Sequence, residues 1–305
     1  MLSKNMKLIL MTAVAPMLWG TTYLTTTAFL PEGRPLLAAT LRALPAGLLL
    51  LALSRRLPQG SWWWKSWVLG VLNIGAFFAL LFIAAYRLPG GVAAIVGGIQ
   101  PLLVAVLANK VLGEALTLRR LAAGSVGVFG VALIVLQSQA RLDAVGLLAA
   151  SGGTLSMAAG TVLSKKWGQP APPLATTAWQ LVAGGLTLAV PLFLVEGLPA
   201  APLTGANVLG YAYLSLVGTA LAYVCWFRGL SRLPAGAAAF LGLLSPVVAI
   251  ILGWLVAGQT LAVWQLVGIT VVLGSIAVGV DLKGWSHDSR KLHPGRLDVP
   301  AAPGR

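Results

Sequence analysis

Charged residues are scarce in this chain: they make up 9% of its 305 residues, and only 7 are aspartate or glutamate. The single cysteine, Cys225, excludes an intramolecular disulfide or a thiolate-metal set. Both histidines, His287 and His293, lie in the polar C-terminal segment, so the apolar part has no metal site and no Ser-His-Asp arrangement. A glycine-rich phosphate loop with its lysine is also missing, which excludes ATP as the energy source. We therefore expect no cofactor, no metal ion and no enzymatic activity.

What the chain has in excess is apolar surface: 58% of its residues are hydrophobic, and its mean hydropathy is +0.89. This composition is typical of a multi-pass membrane protein, with the lipid bilayer as its surroundings. In a soluble protein the net charge of +14 would suggest a nucleic-acid partner. Here the basic residues lie between apolar segments, so membrane topology explains them and we expect no nucleic-acid partner. The first apolar segment has no small-residue cleavage motif, which favours a first membrane helix over a cleaved signal.

Ten apolar segments predict an all-α membrane protein with ten transmembrane helices. Their expected bounds are 8–30, 36–53, 67–86, 90–108, 121–137, 146–164, 174–195, 207–227, 235–256 and 262–280. The only basic residues in the loops on one side of this arrangement are Arg34, Arg87 and Arg141, whereas the other side is rich in lysine and arginine. The positive-inside rule then predicts a protein of the inner (plasma) membrane with both termini in the cytoplasm. The polar tail 281–305 is predicted to be disordered.

The stretch 87–116 recurs at 232–261, at an offset of 145 residues. The shared positions include Arg87/Arg232, Pro89/Pro234, Gly91/Gly236, Gly97/Gly242, Pro101/Pro246 and Gly113/Gly258. Each half contains five predicted spans, an odd number, so the two copies cross the membrane in opposite directions. The sequence therefore predicts a five-plus-five inverted-topology repeat, with halves 1–142 and 143–280.

Each copy carries a proline in mid-span, Pro101 or Pro246, which cannot donate to the carbonyl four residues earlier and so kinks the helix. That carbonyl belongs to Gly97 or Gly242, and we expect its oxygen to lack a donor and a covering side chain. In a membrane such a group needs water or a ligand, so two symmetry-related broken helices predict a central transport cavity. Alternatively, the prolines only curve the helices and the glycines only allow close helix packing.

Five features together resemble one family. They are the Leu18-Trp19-Gly20 turn, Arg42 in the second span, the Pro-Gly-Gly and Pro-Ala-Gly starts of the fourth and ninth spans, the mid-span prolines, and Gly113-Glu114. In these features the chain resembles the EamA-type transporters of the drug/metabolite transporter superfamily. The resemblance implies a cavity lined by spans 1, 3, 4, 6, 8 and 9, and efflux of small metabolites, often amino acids or related compounds. The second half departs from the pattern at Gln259, where many members have glutamate, and lacks an aromatic residue matching Trp19.

Several side chains are candidates for the cavity wall. Trp19 and Tyr23 are four residues apart and share a helix face, where they line the cavity or pack against lipid and neighbouring helices. Gln100 and Ser245 precede the two prolines and need polar partners, which are either substrate and water or another helix. The predicted substrate-binding residues are Trp19, Tyr23, Arg42, Gly97, Gln100, Pro101, Tyr223, Gly242, Ser245 and Pro246.

Two charged residues can each be interpreted in two ways. Arg42 lies well inside a span, where its guanidinium holds a substrate carboxylate or serves as a structural group. Glu114 forms a surface ion pair with Arg119 or Arg120, or it couples to gating. Trp179 and Gln180 align with Leu41 and Arg42 and are expected to belong to the scaffold. A stripe of Gly124, Gly127 and Gly130 predicts close helix packing.

No predicted span has a carboxylate in its middle, so proton coupling lacks an evident carrier. Facilitated export or exchange is the simpler hypothesis, and the lack of a basic cluster argues against phosphorylated substrates. The sequence favours a secondary transporter that works by alternating access on a small-molecule substrate, as a monomer or a homodimer. The alternatives are a passive pore or lipid flippase on the same fold and, more remotely, an integral-membrane enzyme.

Overall fold

The structure is a computed structural model that describes residues 4–88, 90–135, 143–199, 201–256, 258 and 260–280. All regular structure in these ranges is helical, and we number its membrane segments α1 to α10. They are α1 (Lys4–Gly20 and Thr22–Phe29), α2 (Pro35–Ser54), α3 (Trp62–Gly70, Val71–Gly75 and Ala76–Arg87), α4 (Gly90–Gly98 and Gln100–Leu112), α5 (Leu118–Val135), α6 (Ala144–Trp167), α7 (Pro173–Pro191 and Leu192–Glu196), α8 (Gly205–Ser215, Leu216–Leu221 and Ala222–Leu230), α9 (Ala235–Leu241 and Leu244–Leu255) and α10 (Val263–Gly279).

Nine of these segments in the described ranges are long and apolar enough to cross a membrane, and α10 is a shorter apolar helix. The prediction of a ten-helix membrane fold is therefore confirmed. The third helix begins at Trp62, five residues earlier than expected at 67. The ring of Trp62 lies 6.5 Å from that of Trp179, and the ring of Trp64 lies 5.2 Å from that of Trp167. This packing extends α3 beyond the purely apolar run from which its start was predicted.

The two predicted proline kinks are both breaks in the helix. α4 is interrupted at Ile99, and α9 is interrupted at Gly242 and Leu243. Pro101 and Pro246 fall in the first turn of the pieces that follow, where a missing N–H leaves no intrahelical bond unmade. The expectation of a carbonyl without a donor is wrong for Gly242, because the amide of Ser245 donates to its oxygen over 3.1 Å. The turn tightens there and so uses the acceptor that the proline leaves unused.

The helices pack as the inverted repeat requires, with helix n of the first half related to helix n + 5 of the second. α2 lies against α7 and α5 against α10, so each pair joins equivalent helices. α1 packs on α8 and α9, and the equivalent α6 packs on α3 and α4. The predicted boundary between the halves, after residue 142, lies at the edge of the stretch 136–142, which is outside the described residues. The predicted disordered tail, 281–305, also lies outside them.

Glycines permit the closest of these crossings. A Cβ at Gly185 of α7 would lie 2.8 Å from the Cβ of Leu44 in α2. On α5, side chains of neighbouring helices, including α10, cover the stripe of Gly124, Gly127 and Gly130 at comparably short distances. The prediction that this stripe serves close packing is confirmed, and these two tight pairs form the frame around the broken helices.

Candidate functional site

The piece of α4 that follows the break has a buried face. Pro101, Val104 and Ala108 follow one another at intervals of three or four residues and so share a helix face. Val104 and Ala108 are fully buried in the main apolar core, and Pro101 is also buried. Gly97 precedes the break and is exposed. The face therefore passes from packed core to open space at the helix break.

Both kink glycines border open space. Among the described residues and apart from its own helix backbone, no atom lies within 4 Å of a Cβ built on Gly97. For Gly242 the one such atom is the carbonyl oxygen of Ala239 in the preceding turn. Gly20 differs, because its Cβ would lie 2.7 Å from the Ser245 carbonyl oxygen. The alternative in which Gly97 and Gly242 serve close helix packing is thus not supported by their surroundings. Their setting leaves room for a cavity beside the two breaks.

The other residues around the breaks have mixed settings. Gln100 and Ser245 are half-buried, as is Pro246, whereas Pro101 is buried. Ser245 lies where α9 crosses α1, so its backbone contacts the helix that carries Trp19. Tyr23 lies in Thr22–Phe29, but its side chain lies outside what the structure describes.

An aromatic cluster joins α1 to α8 beside these broken helices. The ring of Trp19 lies 5.2 Å from that of Tyr223 and 5.3 Å from that of Trp226. Tyr223 also contacts Phe78 of α3 at 6.3 Å and Phe227 at 5.7 Å. The structure therefore brings together two predicted site residues, Trp19 and Tyr223, that are 204 positions apart in the sequence. It adds Trp226 and Phe78, which sequence reasoning did not place in the site.

Two donors in this cluster have no partner among the described residues. The indole N–H groups of Trp19 and Trp226 are buried and make no hydrogen bond. The hydroxyl of Tyr223, by contrast, reaches the backbone oxygen of Asn73 at 3.4 Å, which is a long hydrogen bond. A buried donor without an acceptor is costly, so these indoles are suited to an acceptor atom on a bound molecule.

Arg42 is buried, and its guanidinium group donates hydrogen bonds within the protein. Its Nε donates to the hydroxyl of Thr219 over 2.9 Å, and its Nη2 donates to the carbonyl of Gly218 over 3.1 Å. The guanidinium carbon lies 4.8 Å from the centre of the Phe78 ring. These contacts favour the structural interpretation of Arg42, which ties α2 to α8, over direct contact with a substrate carboxylate.

A symmetry-related polar contact between the two halves was not predicted from the sequence. The amide nitrogen of Asn73 in α3 donates to Oε1 of Gln180 over 2.8 Å and to Oγ of Ser164 over 3.1 Å. Gln180 is the repeat counterpart of Arg42, and Asn73 that of Gly218. Both contacts fall on wide π-helical turns, Val71–Gly75 and Leu216–Leu221, which occupy equivalent places in the two halves. The available signal was an asparagine inside an apolar span.

The two ends of the site differ. At one end the second piece of α4, Gln100–Leu112, packs on the first piece of α9, Ala235–Leu241. The symmetry-related pair at the other end consists of Gly90–Gly98 and Leu244–Leu255, and over the described ranges these two pieces do not pack against each other in this way. We call the first the closed end and the second the open end. The broken helices therefore enclose the interior from one side only.

A small cavity of about 100 Å³ lies near the closed end, away from the proline breaks. Its polar lining includes Ser164, Lys165, Gln169 and Gln180. Over the described ranges, no group of three or more histidine, cysteine, aspartate or glutamate residues is placed to hold a metal ion.

Comparison with known proteins gives a consistent picture. Residues 6–136 and 144–280 each match the model of the EamA-like transporter family. The chain is 45% identical to protein PecM of Dickeya dadantii over 282 residues, which cover 92% of this chain and 94% of PecM. It is 30% identical to a chloroplastic WAT1-related protein of Arabidopsis thaliana over 277 residues, 85% of this chain and 66% of that protein. A solved structure with 22% sequence identity superposes with a TM-score of 0.79 over 90% of this chain and 99% of its own, a similarity of fold.

Proposed function

The chain belongs to the EamA-like transporter family of the drug/metabolite transporter superfamily, and we propose that it exports a small metabolite, an amino acid or a related compound, across the inner membrane by alternating access. Transport proceeds in this proposal without covalent change of the substrate. It uses the interior beside the broken helices α4 and α9.

The observation that carries the proposal is the one-sided closure of the broken helices. At the closed end α4 and α9 pack together, and beside their breaks Gly97 and Gly242 border open space. Because the two halves are inverted copies, exchanging the packed pair for its symmetry mate would open the opposite end. Such an exchange exposes one central site to each side of the membrane in turn.

The aromatic cluster supports the substrate class. Trp19 and Trp226 present unpartnered N–H groups beside the ring of Tyr223, which suits a small molecule with an acceptor oxygen and some apolar surface. The proposed substrate contacts are Trp19, Tyr23, Gly97, Gln100, Pro101, Tyr223, Gly242, Ser245 and Pro246. Arg42 contributes by holding α8 in place, since its donors at Nε and Nη2 are engaged by α8.

The distribution of basic residues supports the orientation. Arg87 ends α3 beside the open end, whereas Lys110, Arg119 and Arg120 all lie around the closed end. The positive-inside rule then makes the closed end cytoplasmic, with both termini on that side. A transporter in this orientation faces the outside of the cell, and export follows from return of the empty site to the cytoplasm. The direction itself rests on the family resemblance.

A passive pore on the same fold requires a continuous path at rest. The packing of Gln100–Leu112 on Ala235–Leu241 closes one end, which favours a transporter over a pore. A lipid flippase requires a lateral opening to the bilayer as well as a central site, and the unpartnered indole donors are buried in the interior instead.

Two linked measurements test the proposal. Cells that overproduce the protein should release more of one or a few amino acids or related compounds than empty-vector cells, as measured by mass spectrometry of the medium. Liposomes with the purified protein should then lose that compound faster than protein-free liposomes while they retain an unrelated sugar of similar size. Equal loss of both solutes would indicate a pore, and equal rates with and without protein would contradict transport.

A further inference from the structure

Glu114 joins the two halves of the protein at the closed end. It follows α4 directly after Gly113, whose left-handed backbone (φ 70°) ends that helix. The amide of Ala235 donates to its Oε1 over 2.7 Å, and the amide of Gly236 donates to its Oε2 over 3.3 Å. A carboxylate at the first amides of a helix satisfies donors that have no intrahelical partner and interacts favourably with the helix dipole. Glu114 thus ties the end of α4 to the beginning of α9.

Lys165 of α6 also binds the connection that leads into α9. It lies in the last turn of α6, and its Nζ donates to the carbonyls of Leu230 over 3.1 Å and Leu233 over 2.7 Å. These carbonyls belong to the end of α8 and the short loop before α9. The connection between α8 and α9 is therefore bound through its carbonyls by Lys165 and, from two residues after Leu233 onward, through its amides by Glu114.

The residues of the Glu114 contact differ from those at the equivalent positions of the repeat. Gln259 is the residue equivalent to Glu114, and Gly90 and Gly91 are equivalent to Ala235 and Gly236. Gln259 itself lies outside the described residues. A glutamine is neutral and offers one acceptor oxygen, whereas a carboxylate offers two and forms charge-assisted bonds that are roughly twice as strong. The sequence thus gives the closed end a stronger acceptor than the open end.

A second glutamate with the same geometry serves as an internal comparison. Glu196 at the end of α7 accepts from the amide of Leu36 over 2.7 Å and from that of Leu37 over 3.0 Å, at the beginning of α2. The α2–α7 pair packs tightly between equivalent helices, so this contact lies in the frame. The Glu114 contact instead lies between α4 and α9, the two broken helices.

We infer that Glu114 is a positioning residue for transport: its carboxylate keeps the closed end shut and must release the Ala235 and Gly236 amides once in every cycle. The charge at position 114 then sets the balance between the two states. The inference rests on the proposed alternating access and adds the residue that determines its resting side. The exchange of Glu114 for glutamine, which makes both halves equal at this position, should shift that balance.

The test measures the side from which the interior is reached. In a Cys225→Ser background, Gly97→Cys places a thiol beside the break, and a membrane-impermeant maleimide is added from either side of oriented vesicles. With Glu114 intact we expect labelling from the open end. Glu114→Gln should raise labelling from the closed end about tenfold relative to labelling from the open end, the scale of one lost charge-assisted bond. Glu114→Asp, which keeps the charge, should restore most of the original ratio.

Glu196→Gln is the matched control. It should lower the melting temperature of the purified protein and leave the labelling ratio unchanged. An unchanged ratio in Glu114→Gln, or an equal change in Glu196→Gln, would overturn the inference about Glu114 while leaving transport itself intact. Fast labelling of the Glu114 protein from both sides would instead overturn alternating access, and with it the proposed function.

Discussion

Asn73 and Gln180 come from opposite halves of the chain and share a buried hydrogen bond of 2.8 Å between Nδ2 and Oε1. In the symmetry-related contact, Arg42 donates to Gly218 and Thr219. Each frame helix, α2 or α7, therefore directs one polar side chain onto the wide turn of a helix from the opposite half. Wide π-type turns recur at functional sites, and here they connect the rigid frame to α3 and α8.

Asn73→Leu should destabilise the protein by roughly 1–3 kcal/mol, because it leaves the buried amide oxygen of Gln180 and the half-buried hydroxyl of Ser164 without their donor. Thermal unfolding of the purified protein in detergent measures this change as a fall in melting temperature. Asn109→Leu is the control, since the hydrogen bond of Asn109 to the Glu114 carbonyl is exposed. A fall of the same size in both variants would contradict a special role for the buried contact.

Arg42→Lys should fail to replace the arginine. A lysine keeps the charge but cannot donate from two nitrogens in a fixed plane to Gly218 and Thr219 while it stacks on Phe78. We expect a clear loss of thermal stability and of transport rate. If the lysine variant transports normally, Arg42 acts through its charge alone, and the substrate-carboxylate interpretation regains its place.

Trp19→Phe should weaken substrate binding and leave the fold intact. The substitution keeps an aromatic ring against Tyr223 and removes the unpartnered N–H group. We expect a rise in KM of about tenfold with little change in melting temperature, because the lost bond is made to substrate and not to protein. Trp62→Phe, at a ring packed on Trp179 in the frame, provides the comparison and should leave KM unchanged.

Gly185→Ala should destabilise the frame strongly. Its new Cβ would lie 2.8 Å from the Cβ of Leu44 and 2.9 Å from backbone atoms of the same residue, so α2 and α7 would have to separate. Overpacking of this kind costs about 1–3 kcal/mol. Differential scanning fluorimetry should show a lower melting temperature for Gly185→Ala. It should show almost no change for Gly97→Ala, where no described residue outside its own helix backbone has an atom within 4 Å of the new Cβ.

The sequence was sufficient for the features that depend on local chemistry. Ten apolar runs and the missing donors of Pro101 and Pro246 determine the spans and the helix breaks within a few residues. The glycine stripe of α5 also predicts its own packing, because only small residues allow helix backbones to approach so closely.

The sequence alone did not predict the contacts between the two halves. Asn73 with Gln180 and Glu114 with Ala235 depend on how two separate bundles dock, and no local pattern specifies that register. The same limitation explains why the oxygen of Gly242 was expected to lack a donor. The tight turn that brings the Ser245 amide to it depends on where the helix breaks, and not on the proline alone.

Transport by Gly97→Leu and Gly242→Leu variants tests the central claim most directly. Within the described part of the chain, no atom of another helix lies within 4 Å of a Cβ on either glycine, so a leucine should leave the fold intact and fill the space beside the break. Gly274→Leu in α10 is the matched control away from the breaks, because Gly274, like Gly97, is exposed and has no described atom within 4 Å of its Cβ. The cavity account predicts that both kink variants lose most transport at normal protein level and melting temperature, while Gly274→Leu transports normally. Normal efflux from both kink variants would contradict it.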